Sequence, residues 1–185
     1  MNIQHDIQQF HNKFGILPNQ DIDFKLRYAR LLEELNEFDE ATTPWDKLDA
    51  IVDAVYIAAG TIYLYGDKHN ALCALGYSFN IPFLMDVAVP PPEKNPTLPN
   101  LRWLVIENSV DQHVMGCWYL ITNLLSWCAM NRWNFPEAWE RVQAANMAKV
   151  RAGSAADSKH GSAQDIIKPA GWTAPDHRDL FEDVK

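Results

Sequence analysis

Apolar residues recur along much of this chain at intervals of three and four, the rhythm of one helix face. Ile3, Ile7, Phe10 and Phe14 follow it over residues 3–14, and Gly15 and Pro18 stop the segment. Phe24, Tyr28, Leu31, Leu35 and Phe38 form a second stripe, with Asp21 as the expected N-cap and "ATTP" closing the helix near residue 41. A third begins near Pro44, a favoured first-turn residue. It carries Trp45, Leu48, Val52, Val55, Ala59 and Ile62 on one side and should end near Gly66. Val110, Val114, Cys117, Ile121, Leu124 and Cys128 predict a long helix over about 102–132. "NFPEAWERVQAANMAKV" predicts another, capped by Asn134 and running to about Val150.

Between the third and fourth helices the rhythm fails. Residues 67–88 read as one short helix and a turn, and five prolines in residues 89–100 make that stretch an extended loop. The last 35 residues are small, polar and broken by Gly and Pro, which predicts an irregular tail laid across the body. No β pattern and no internal repeat is evident. The expected fold is all-α, a four-helix-bundle-like body over residues 1–150 with the irregular tail at 151–185.

The chain has 185 residues, 48% of them hydrophobic, enough for one domain with a sizeable core. A net charge of −8 argues against a nucleic-acid polymer as partner, since only local Lys or Arg, or bound cations, would hold phosphates. Cys73, Cys117 and Cys128 are odd in number and lie in apolar surroundings, which suggests a reducing compartment without a disulfide framework. His113 and Cys117 are four apart, a spacing that could seed a zinc site, but no CxxC accompanies them and core packing is expected. The polar start "MNIQHDIQQF" is no secretory leader, and no apolar run of the roughly 18 to 20 residues a membrane span needs is apparent. A soluble, cytoplasmic protein is expected. Neither a P-loop nor a G-x-S-x-G motif is present.

Six carboxylates stand out against this apolar background: Glu33, Glu34, Glu37, Asp46, Asp49 and Asp53. Glu34 and Glu37 share a helix face, as do Asp49 and Asp53, and Asp46 extends the second row by a turn. Ideal geometry sets Asp49 and Asp53 about 100° around from Leu48 and Val52, beside the core boundary. The short link near Ala41–Pro44 makes the two helices antiparallel neighbours, so the rows can face each other. Four carboxylates at close range in a partly dehydrated cleft need protons or cations, and an all-oxygen set suits Mg²⁺ or Mn²⁺. Surface charge is the competing explanation. Arg27 and Arg30 lie on the stripe of Glu34 and Glu37, placed either to touch a phosphate or to form an ordinary Arg30–Glu34 ion pair.

These residues resemble a known family. "EELNE" resembles the EExxE motif of the all-α nucleoside triphosphate pyrophosphohydrolases, the MazG-like group. "DAIVDAVYIAAGTIYLYG" is similar to the acidic helix that follows it there. The family's second motif is ExxD, whereas here only Asp46–Asp49 has that spacing, with Asp in place of Glu, and the apolar run follows Asp53. "HDIQQFHNKFG" resembles the N-terminal helix of phage and bacterial members. "NMAKV" and "IIKPAGWTAPD" resemble the Lys-bearing segments that close the C-terminal side.

The resemblance implies hydrolysis of a (d)NTP to the (d)NMP and diphosphate with two or three Mg²⁺ or Mn²⁺ ions. It implies Glu34, Glu37, Asp49 and Asp53 as metal ligands, with Asp46 a further candidate, and Glu33 and Glu34 as catalytic groups. Lys149 and Lys168 would grip phosphates, and Arg27, Arg30 and Asn146 would also meet substrate. Phe10 and Phe14 would line the base pocket, with Asn12 and Lys13 at its mouth, and Trp172 would act as a lid or staple. It further implies a homodimer or homotetramer, a deoxypurine triphosphate such as dGTP as substrate, and a host cytoplasm if phage-encoded. Other readings are a dUTP, dCTP or phosphoribosyl-ATP pyrophosphohydrolase and a non-catalytic helical interaction module.

Overall fold

The computed structural model describes residues 1–18, 20–69 and 109–181. Five helices carry the fold: α1 (Ile3–Phe14), α2 (Phe24–Glu40), α3 (Pro44–His69), α4 (Val110–Met130) and α5 (Phe135–Met147). The all-α class expected from the apolar rhythm is therefore observed. The prolines at 89–100, Cys73, and the stretch expected to begin the long helix at 102 lie outside the described residues.

Helix α3 is the centre, and the other four all pack against it. Leu48, Ile51, Val52, Val55, Ala58, Ile62 and Leu64 are all essentially inaccessible, so it is apolar nearly all round. By length and composition Pro44–Tyr65 could cross a membrane, contrary to the expectation that no segment would qualify. Its mean hydropathy is 1.4 over the most apolar window, but 78% of that window is buried among the other helices, as in a core helix. Trp139 and Phe135 of α5 are fully buried, each contributing about 1.5–3 kcal/mol. His113 and Cys117 are buried too, as core packing required.

The caps explain most boundaries. Asn2, Asp23, Ser109 and Asn134 each accept from a backbone N–H in the first turn of the helix they precede. The cap of α2 is thus Asp23, not Asp21, and α4 starts at Val110, capped by Ser109. Gly15 at φ +63° closes α1, a left-handed position that glycine adopts without strain. Thr43 and Asp46 cap α3 reciprocally. The Thr43 hydroxyl lies 2.5 Å from Asp46 Oδ2, and Asp46 N–H donates to Thr43 Oγ1 at 3.2 Å.

The tail does lie on the body, but it is not wholly irregular. Val150–Arg151 pairs antiparallel with Ile166–Ile167, Val150 opposite Ile167, a two-residue ribbon that the sequence pattern did not predict. A 3₁₀ turn at Ala155–Asp157 lies between the strands, and another at Arg178–Phe181 returns to α3.

Candidate active site

Antiparallel pairing of α2 and α3 fixes which residues meet. Arg27 reaches Ile57 and Thr61, and seven residues later on α2 Glu34 meets Asp53, one turn before Ile57 on the antiparallel α3. Together with α1, the end of α5 and the tail strand, Arg27, Glu34, Asp53 and Ile57 wall a cleft that encloses ≈ 80 Å³ and opens to solvent. Glu34, Asp53, Arg27, Arg30, Lys149 and Asn146 are among its polar lining, as is Asp165, a buried acid 3.6 Å from Arg30.

The acidic end is electrostatically uncompensated. Glu34 is 7% exposed. Burial, then Asp53 and Glu37, push its carboxyl up to about 9. Burial and Asp49 push Asp53 up to about 6, against the pull of Lys149 and Arg30. Burial also lowers the Lys149 ammonium, which Asp53 pulls the other way. One lysine and one arginine thus fail to neutralise the acids, the situation in which a hard divalent cation is accommodated by oxygen donors. Among the described residues, no three His, Cys, Asp or Glu side chains are already gathered as a metal cage.

The other acids have distinct surroundings. Glu37 is exposed at the rim. Asp49 Oδ1 lies 3.0 Å from Nε2 of His177, a buried residue of the tail. Asp46 is exposed and engaged in the α3 cap. Glu33 is held by Arg30 at 3.2 Å, His160 at 3.1 Å and Lys159. Burial would raise its pKa, but the hydrogen bonds and charges of Lys159 and Arg30 outweigh that and hold it below the usual carboxylate range. Glu33 does not line the cleft.

The expected substrate residues separate into two groups. Phe10, Arg27, Arg30, Asn146 and Lys149 line the cleft. Phe14, Lys13 and Lys168 do not. Phe14 is core, edge-on to Phe10 with centroids 4.7 Å apart. Lys13 donates to the Met147 carbonyl and, at 3.4 Å, to that of Lys149, tying α1 to the end of α5. Asn12 is exposed on α1. Lys168 and Lys149 both lie against the Trp172 ring, 4.7 and 5.3 Å from its centroid. Trp172 Nε1 donates to the Ala145 carbonyl at 2.8 Å, so this side chain staples the tail to α5.

Several residues of the site were not singled out from sequence. His11, Tyr56 and Ile57 line the cleft, as do Gln164, Asp165 and Ile166 of the tail. Tyr56 and Ile57 lie one turn beyond Asp53, so helical spacing alone could have found them. The tail residues carried no such signal, because their approach depends on a fold-back that periodicity does not encode. Comparison with protein-family models, with curated proteins and with solved structures found no match to this chain.

Proposed function

We propose that this chain is a divalent-metal-dependent nucleoside triphosphate pyrophosphohydrolase, taking a (d)NTP and water to the (d)NMP and diphosphate by attack at the α-phosphorus. The observation that carries the reading is the buried Glu34–Asp53 pair, whose carboxyls burial and the neighbouring acids push upward in a cleft that also presents Arg30 and Lys149. The order EELNE, acidic helix, Lys-bearing tail supports the same class.

Glu34 and Asp53 would hold the inner ion, and Glu37 and Asp49 would complete the set from the rim. His177 holds Asp49 by one oxygen and leaves the other for a cation. Mg²⁺ or Mn²⁺, when bound, supplies the charge that lets a polyanion approach carboxylates and activates water at neutral pH. Glu34 gives up the proton it otherwise keeps to about pH 9. Arg30 and Lys149 flank the acids and would meet phosphate oxygens, while Phe10 and Tyr56 wall the side where a base would lie. Glu33, ionised and clasped by Arg30, Lys159 and His160, anchors the tail beside the cleft. A homodimer or homotetramer belongs to the same proposal.

The test is turnover of each dNTP and NTP with Mg²⁺ or Mn²⁺, with products separated. Expected are nucleoside monophosphate and diphosphate, and a loss of at least about 100-fold in Glu34→Gln and Asp53→Asn. Release of orthophosphate, or turnover retained in both variants, would overturn the proposal and favour a non-catalytic role for the acids.

A further inference from the structure

The end of the cleft opposite the acids is built differently. Arg27 donates through Nε to Thr61 Oγ1 at 3.1 Å and through Nη2 to the Ile57 carbonyl. These are two of five guanidinium N–H groups. Among the described residues no carboxylate forms an ion pair with Arg27, which lines the cleft. Cys117, Tyr65, Arg30 and Tyr56 are the groups that act on its charge. Beside it lies His11, 1% exposed and stacked on Tyr63, with Nδ1 lacking any hydrogen-bond partner. Burial, then Arg27, lower His11 to about 3, so its ring is neutral. Burial lowers Arg27 only to about 10, so it is charged.

Gly60 makes room for both groups. A Cβ there would stand 2.6 Å from Arg27 Nη2 and 2.8 Å from His11 Nε2. Glycine inside a helix costs about 1 kcal/mol relative to alanine. At this position it leaves space for a cation and an imidazole, both of which line the cleft.

Position along the helices gives the scale. Arg27 and Glu34 are seven residues apart on α2, as are Asp53 and Gly60 on α3, or about 10 Å at 1.5 Å per residue. That is the order of length of a nucleoside from its 5′-phosphate to the far edge of its base. Between the two ends the walls are Phe10, Leu26, Tyr56 and Ile57, apolar and aromatic surfaces suited to a planar ring. Asn146 and Gln164 are the neutral amides of the lining, and the Tyr56 hydroxyl donates to Gln143 Oε1 at 2.6 Å.

We propose that Arg27 and His11 form the base-recognition end of this cleft and select a nucleobase with a keto oxygen at purine C6 or pyrimidine C4, guanine or uracil in type, over one with an amine at that position. The inference rests on the nucleotide reading of the cleft and adds the chemical class of the base. A guanidinium can only donate. It is matched by a keto oxygen, or by the O6 and N7 pair of guanine. An amino group would set donor against donor in a site shielded from water, leaving the fork unpaired. Sites built around such a bond reject the mismatched partner strongly.

The experiment is equilibrium binding of dGMP, dUMP, dAMP and dCMP to the intact chain in Mg²⁺, by calorimetry. At least one keto base should bind about tenfold or more tighter than both amino bases. Arg27→Met should reduce that ratio to below about threefold. Gly60→Ala, which drives a methyl into the same two groups, should reduce it independently if Arg27→Met fails to fold. Equal binding of all four, tighter binding of an amino base, no detectable binding of any, or a ratio unchanged in the folded variants would overturn the inference. Triphosphate turnover is scored separately. A keto preference without turnover would retain this site and remove the hydrolase reading, whereas turnover without base preference would do the reverse.

Discussion

Glu34 and Asp53 shape the pH response of the cleft as single residues. Their folded-state pKa values lie above the unfolded ones, at about 9 against 4.5 and about 6 against 3.8. Between these values the folded state binds more protons, so without a divalent cation stability falls as pH rises through the window. Glu34→Gln removes the larger part. In EDTA at pH 8 it should stabilise the protein by about 2 kcal/mol, roughly 4–8 °C in Tm, and change little at pH 4. Thermal melts at the two pH values check this, and destabilisation at pH 8 would contradict it. Metal shows the same linkage from the other side. Adding millimolar Mg²⁺ should raise the Tm of the wild type more at pH 8 than at pH 5.5, because the ligands must shed protons to bind. Which acids lie in one row was readable from helical spacing. That Asp46 caps α3 was readable too, from a Thr three residues earlier, but the cap was hidden by reading Asp46 as part of the acidic row. The roles of Glu33 and Asp49 were not readable, since Lys159, His160 and His177 reach them from more than 100 residues away.

Apolar periodicity located the helices but not all their ends, since α3 runs past the expected Gly66 to His69 and α5 stops at Met147, short of Val150. α1 spans the predicted residues, because Ile3, Ile7, Phe10 and Phe14 all enter the core and Gly15 ends the helix. The ribbon was not legible: two residues per strand carry no alternation, and its pairing joins Val150 to Ile167 across a long polar stretch. Docking of α1 onto α5 was also invisible in the sequence. Trp139 Nε1 donates to Asp6 Oδ2 at 2.8 Å from a side chain that is fully buried. Gln143 Nε2 also reaches the Asp6 carbonyl, at 3.4 Å. Asp6 looks like an ordinary first-turn acid, yet it satisfies the core's largest side chain. Asp6→Ala should therefore cost about 1–3 kcal/mol, the penalty for orphaning a buried donor, whereas an exposed first-turn acid would cost a few tenths. Urea denaturation separates the two outcomes. At the tail, Trp172→Ala removes a bond to the Ala145 carbonyl and the surface under Lys149 and Lys168. Limited proteolysis should then cleave residues 150–181 faster, with the far-UV helix signal unchanged.

Taken as a whole molecule, the fold buries two kinds of titratable group whose effects on stability oppose each other. The acids weaken it as pH rises, and the histidines weaken it as pH falls. His113 is fully buried against Phe24 and Tyr28, and neither ring nitrogen has a hydrogen-bond partner. Burial, then Arg27, lower its pKa to about 4, and burial, then Arg27, lower His11 to about 3, both from 6.5. Folded values below unfolded ones mean that the unfolded chain binds more protons between them. Stability from these two groups is complete above pH 6.5 and is lost as pH falls toward 4 and then 3. Each contributes a slope of up to about 1.4 kcal/mol per pH unit inside its window. Glu33, Asp176 and Asp179, whose carboxyls are held low by Lys159, Arg30, Arg178 and Arg141, act only below the ordinary carboxylate range. Between pH 4.5 and 6.5 these two histidines therefore oppose the Glu34–Asp53 pair among the described residues with shifted pKa values. In a Glu34→Gln, Asp53→Asn background, unfolding free energy should rise steeply with pH across that interval and level off above it. Adding His113→Leu should remove about half of the slope and raise stability at pH 5, since the change also eliminates two unpaired buried nitrogens. Denaturant titrations at pH 4.5, 5.5, 6.5 and 7.5 test this, and a slope unchanged by His113→Leu would show that its burial does not govern the acid response of the fold.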